Sequence, residues 1–141
     1  MINGVIAQKL QSLDSVLTEL RSLGKISAKD LSQDWRTKKA VERNLQILVE
    51  IVIDTCQRLL SISGQSPATT GRDAIERAIQ NGFIRHDEAY FKMVQFRNFV
   101  VHRYERVDDE ILAVMVNQRL ADFAQFKNDV MDYVRSTADR P

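Results

Sequence analysis

The sequence predicts an all-α fold, an up-and-down helical bundle of four to five helices. Apolar residues recur every three or four positions through most of the chain, as helices with one buried face require. Only five Gly and two Pro interrupt 141 residues, too few for a turn-rich β fold. Hydrophobic residues make up 44% and charged residues 28%, ordinary for a soluble globular chain and incompatible with a disordered one. The length fits a single domain over residues 1–141, with its packed part at about 2–136.

Ile2, Ile6, Leu10, Leu13, Leu17 and Leu20 fall at helical spacing, so residues 2–23 read as the first helix, stopped by Gly24. Residues 25–33 form a connection in which Ser27 can cap a short turn. The second helix runs from Asp34 to Leu60. Val41, Leu45, Leu48, Val49, Val52, Cys56 and Leu59 make one stripe, and Ile47, Glu50, Ile51, Asp54 and Arg58 make a second, partly apolar face. Two such faces predict two packing partners, one in the chain's own core and one across a homodimer interface. Trp35 begins this helix and reads as an anchor rather than a base-stacking platform. Residues 61–71 are a loop-rich segment. A short third helix covers 72–80 and ends at Asn81-Gly82. Asp87 caps a fourth helix through Arg103, and Asp108 caps a fifth through Ser136. Residues 137–141 are expected to fray.

Composition also limits function. No apolar run approaches the ~20 residues that span a bilayer, and the start, Met-Ile-Asn-Gly-Val, lacks a secretory pattern. Cys56 is the single cysteine, so neither an internal disulfide nor a cysteine-based zinc site can form. The cytoplasm is the expected location. A net charge of +1 lacks the basic excess of proteins that grip many phosphates, so any nucleic-acid role must rest on a local patch or a small active site.

The chemistry concentrates in Arg97-Asn98-Phe99-Val100-Val101-His102-Arg103-Tyr104, at the end of the fourth helix. On a helical wheel Arg97 sits in the middle of an apolar arc formed by Tyr90, Met93, Val94, Phe96, Val100 and Val101. Arginine is seldom buried without a partner. Asn98 and His102, four residues apart, share the edge of that arc, and Tyr104 returns to the side of Arg97. One strip thus presents a guanidinium, a carboxamide, an imidazole and a phenol. An imidazole can remove a proton from an RNA 2′-hydroxyl or protonate a leaving oxygen. A guanidinium can hold the phosphate bidentately and stabilise its developing charge. With two histidines and no acid cluster at metal-ligand spacing, a metal nuclease is not expected. A structural reading stands beside the catalytic one. Arg97 could form a buried ion pair with Glu50 or Asp54, and His102 could satisfy helix-end carbonyls.

The segment resembles the R-x-x-x-x-H-x-Y motif of HEPN proteins, specifically the HepT-like group. The likeness extends to Lys39-Ala40-Val41-Glu42-Arg43-Asn44-Leu45-Gln46 with Val49-Glu50 and Ile53-Asp54, to Gly82-Phe83-Ile84, to Met93-Val94-Gln95-Phe96, and to Val107-Asp108 before the last helix. The resemblance implies a dimeric HEPN bundle whose two motifs face one cleft. It further implies a toxin endoribonuclease that uses no cofactor and pairs with a minimal nucleotidyltransferase antitoxin. By position, Arg97 and His102 would be catalytic and Asn98 supporting. Tyr104 would be the residue that the partner modifies with adenylate from ATP. The sequence departs from the family at Arg103, where a smaller or acidic residue is common. That extra cation either meets RNA phosphate or stays idle.

Other residues carry weaker signals. Glu50 and Asp54 share a helical face and suit a structural role better than paired acid–base work. Cys56 lies in the apolar stripe and reads as inert core packing. Arg85, Lys92, Arg103 and Arg106 could extend a phosphate surface, but Asp87, Glu88 and Glu105 dilute it. His86 has no evident role. The reading that competes with a ribonuclease is a non-catalytic helical module that docks a nucleotidyltransferase and helps bind nucleotide or substrate.

Overall fold

The computed structural model describes residues 4–102 and 108–138. Among these residues there are seven α-helices and no strand: α1 (Gly4–Ser22), α2 (Ala28–Gln33), α3 (Trp35–Ile62), α4 (Gly71–Gln80), α5 (Glu88–His102), α6 (Asp109–Gln118) and α7 (Leu120–Ala138). The all-α expectation holds, while the expected count of four to five does not. One extra helix lies in the segment read as a connection. There Ser27 and Asp30 form a reciprocal capping box, each side chain accepting the other's backbone N–H at 3.0 Å.

The second extra helix arises because the predicted fifth helix breaks at Arg119. Asn117 donates to Ile26 O at 2.6 Å and accepts from Ile26 N at 3.0 Å, tying the end of α6 to the connection after α1. Arg119 then leaves helical geometry (φ −115°, ψ 0°). The break lets Leu112 and Val116 face α2 and α3 while α7 turns its own apolar face to α1 and α5. Periodicity continues across Arg119, which is why the break is invisible to pattern reading.

The longest helix, α3, packs against all six others. Its stripe of Val41, Leu45, Leu48, Val49, Val52 and Cys56 is fully buried, each large aliphatic side chain contributing about 1.5–3 kcal/mol. Side chains of all seven helices join one hydrophobic cluster. Asp34 starts α3 by accepting the N–H groups of Arg36 and Thr37, both at 3.2 Å. Trp35 does not anchor anything: it is 66% exposed, more than any other large apolar side chain of the described residues.

Two arrangements position α5. Gln57 on α3 holds Ala68 through both backbone groups, at 2.8 and 3.0 Å, which docks the 61–71 loop on α3. Thr70 then caps α4, accepting from Asp73 N at 2.9 Å. At the other end, Asp129 of α7 accepts from the buried Tyr90 hydroxyl at 2.6 Å and from Arg85 N at 3.1 Å and Nε at 2.9 Å. Gln125 adds a bond to Asp87 at 2.7 Å. The start of α5 is thereby clamped to α7. Arg85, read earlier as a candidate phosphate contact, is committed to this clamp.

Candidate active site

Arg97 lies two turns beyond the Tyr90 clamp and reaches the first residue of α4. Tyr90, Met93, Val94 and Phe96 of its arc are buried, and Arg97 itself is half-buried. A methyl group at Gly71 would stand 3.3 Å from Arg97 Nη2, 3.1 Å from Val94 Cγ1 and 3.0 Å from Ile53 Cδ1. Glycine is therefore what lets the α4 backbone approach the guanidinium so closely. In sequence 61–71 reads only as a loop-rich segment; the approach of Gly71 to Arg97 joins distant segments, which no local pattern encodes.

The Nε of Arg97 is buried and has no hydrogen-bond partner among the described residues. Leaving a charged donor unsatisfied costs stability, and such groups in native folds call for a reason. The alternative of a structural ion pair finds no support among the described contacts. Glu50 accepts from Gln46 Nε2 at 3.2 Å, Asp54 is exposed, and neither forms an ion pair with Arg97. On this side of α3 the side chain that shares the Gly71 position with Arg97 is the aliphatic Ile53.

Asn98 is exposed beside Arg97, and His102 is the last residue of α5, one turn past Asn98 on the same strip. Arg103 and Tyr104 lie outside the described residues. Cys56 is fully buried and its thiol is pushed up to about 12 by that burial, which makes it inert toward nucleophilic or metal chemistry. Among the described residues no group of three or more His, Cys, Asp or Glu side chains is placed to hold a metal ion. His86 packs edge-on against Phe91, ring centroids 6.5 Å apart, away from Arg97.

Electrostatics favour an anion beside Arg97. Among the described residues its guanidinium forms no ion pair, and Gly71, the first residue of α4, lies next to it. Asp87 and Asp129, by contrast, are satisfied within the clamp. Donation from Gln125, and then from Ala89 N–H, holds the Asp87 carboxyl below the usual range. Burial, with the Asp129 carboxylate beside it, raises the Tyr90 phenol, which stays neutral and donating.

Comparison with known proteins gives the family. The mRNA nuclease HepT of Shewanella oneidensis is 25% identical over 127 residues, covering 89% of this chain and 95% of that protein. The solved tri-AMPylated Shewanella oneidensis HEPN toxin in complex with MNT antitoxin superposes with a TM-score of 0.82 at 24% identity, covering 93% of this chain and 99% of that one. A toxin–antitoxin structure with AMP-PNP gives 0.80 at 25% identity, covering 92% and 98%. Residues 13–130 match the family described as Ribonuclease HepT-like. The chain belongs to the ribonuclease HepT-like family.

Proposed function

We propose that this single-domain ribonuclease is a cytoplasmic toxin that cleaves RNA without a metal, as a homodimer, through Arg97 and His102. The observation that carries the reading is the half-buried Arg97, whose Nε has no partner among the described residues, on the same helix as His102. His102 takes the proton of an RNA 2′-hydroxyl, and the freed oxygen attacks the adjacent phosphorus. The bond from phosphorus to the 5′-oxygen breaks, an imidazolium returns a proton to that oxygen, and a 2′,3′-cyclic phosphate remains. Arg97 holds the non-bridging oxygens and offsets charge on the phosphorane, and Asn98 donates beside it. One solved relative is a tri-AMPylated HEPN toxin in complex with an MNT antitoxin. By the same pattern, a minimal nucleotidyltransferase silences this chain by attaching adenylate from ATP to Tyr104.

Purified protein incubated with RNA in EDTA tests the reading. Wild type should cut and leave cyclic ends, while Arg97→Ala and His102→Ala, with unchanged circular dichroism, should lose about a hundredfold or more of the rate. Cleavage that persists in His102→Ala favours the non-catalytic docking module, with a contaminating nuclease as the source of cutting.

A further inference from the structure

The exposed Trp35 calls for an explanation that the catalytic strip does not supply. Tryptophan is normally buried over most of its surface, yet this indole is 66% exposed. Arg36 lies over its ring, 5.5 Å from the centroid. The segment Trp35–Arg43 holds Arg36, Lys38, Lys39 and Arg43 against one acid, Glu42, in a chain whose whole net charge is +1. Lys38 turns inward to Asp109 at 2.7 Å. Arg36, Lys39 and Arg43 are exposed and form no ion pair among the described residues. Cations at a helix N-terminus oppose the macrodipole, so these do not serve the stability of α3; Asp34 already caps it.

We infer that Trp35, Arg36 and Lys39 form an accessory subsite for single-stranded RNA, in which a base stacks on the indole and the two cations meet its flanking phosphates. This inference rests on RNA being the substrate. An exposed aromatic with adjacent cations is the pattern by which proteins hold single strands without reading sequence. Placement fits as well. Trp35 and Ile53 lie on one face of α3, about five turns or ~27 Å apart, and Ile53 and Arg97 both lie beside Gly71. A strand of roughly 4–16 nucleotides, the usual span of such sites, covers that distance. Glu42 and Glu50 interrupt the face between, which confines phosphate contact to the Trp35 end. The subsite would hold the RNA some nucleotides from the bond that is cut, so it sets affinity and substrate length.

Trp35 is the only tryptophan, so its fluorescence reports the subsite directly. The probe is a 2′-O-methylated single strand of about 12 nucleotides, which lacks the attacking hydroxyl and stays intact with the wild-type protein. Titration should quench the indole saturably. Trp35→Ala should weaken binding of the labelled strand about tenfold, and Trp35→Phe should recover most of it, since a ring keeps a stacking face. Arg36→Ala with Lys39→Ala should lower the salt slope by about two phosphate contacts. Normal RNA cleavage with an unquenched indole, or with an affinity unchanged in Trp35→Ala, overturns the subsite alone. An indole whose emission shifts with protein concentration in the absence of RNA also overturns it, because Trp35 then lies between copies of the chain. A strand that does not bind, with RNA left uncut, overturns the ribonuclease reading and the subsite together.

Discussion

Gly71 stands beside Arg97 across the α4–α5 interface with little room for a side chain: Cβ of an alanine at 71 would stand 3.3 Å from Arg97 Nη2, with Ile53 and Val94 closer still. Gly71→Ala therefore has two opposing effects. Removing glycine from a helical first turn stabilises by about 0.4–1 kcal/mol through the unfolded chain. Overpacking against Ile53, Val94 and Arg97 costs about 1–3 kcal/mol. The net expectation is a loss of about 1 kcal/mol in denaturant unfolding. The rate of RNA cleavage should fall about tenfold or more, because the guanidinium is pushed off the phosphate position. Full activity in Gly71→Ala would show that this contact does not set the position of Arg97.

The Tyr90–Asp129 clamp makes a stability prediction. Asp129→Ala strips the acceptor from the buried Tyr90 hydroxyl and from both the backbone and guanidinium of Arg85. Denaturant unfolding should register a loss of about 3 kcal/mol. Tyr90→Phe removes one bond and should cost about 1 kcal/mol. If Asp129→Ala unfolds no more easily than Tyr90→Phe, Arg85 contributes nothing through this carboxylate.

These two relationships mark where sequence reading reaches its limit. Periodicity marks every helix that has a long buried face, and Ser27, Asp87 and Asp108 are legible as caps because capping is a local device. Arg97 stood out because a cation in an apolar arc conflicts with its surroundings, a conflict visible on a wheel. Its neighbours were not legible. Gly71 and Arg97, or Tyr90 and Asp129, meet only after the chain folds, and an ion pair of Arg97 with Glu50 or Asp54, the structural alternative, is not among the described contacts, because wheel position does not fix the register between two helices. The break at Arg119 escaped for a similar reason, being caused by the tie from Asn117 to Ile26. Trp35 was misread as an anchor because aromatic residues are buried far more often than not.

Acid stability follows from the caps. Asp30 and Asp34 lie below the usual carboxylate range because Ser27 and Thr37, respectively, donate to them, and Asp87 does so through Gln125. A depressed folded pKa adds stability that is present above the unfolded value and lost as pH falls through the folded one. The fold should therefore hold steady from neutral pH to about pH 4 and weaken progressively below it. Thermal unfolding across pH 2–7, in wild type and Asp87→Asn, checks the sign: the variant should lose less on acidification. Equal acid sensitivity in both would remove Asp87 from the account.

Assembly can be tested by charge placement. Ile47 and Ile51 are half-buried on the second face of α3, where dimerisation through α3 and α5 is proposed. Ile111 and Val114, each 41% exposed, line a separate apolar groove with Met93, Met115 and Phe123. A buried carboxylate in an interface is costly, so Ile51→Glu should dissociate a dimer seen by sedimentation at micromolar concentration. Val114→Glu should leave it intact. The reverse pattern would move the interface to the α5–α6–α7 groove, and a wild-type monomer would remove the dimer altogether.

Control through Tyr104 is the most direct consequence of the ribonuclease reading for regulation. In sequence, Tyr104 follows two residues after His102, which ends α5, so a group attached there is tethered close to the strip that holds Arg97. In the transfer, the phenol oxygen would attack the α-phosphorus of ATP, pyrophosphate would leave, and the phenolic proton would pass to a base or to water. Each adenylate adds negative charge and acceptor oxygens, which compete with RNA phosphate for the guanidinium. The attached nucleoside also occupies the space an RNA strand needs, so charge and bulk act in the same direction. Co-expression with a cognate minimal nucleotidyltransferase should add one or more adenylate units, visible by intact-mass spectrometry, and should abolish RNA cleavage. Tyr104→Phe keeps the ring, blocks attachment and should remain toxic in the presence of an active transferase. A neutralised toxin that carries no added mass would falsify covalent control and leave occlusion by the bound partner as the means of silencing.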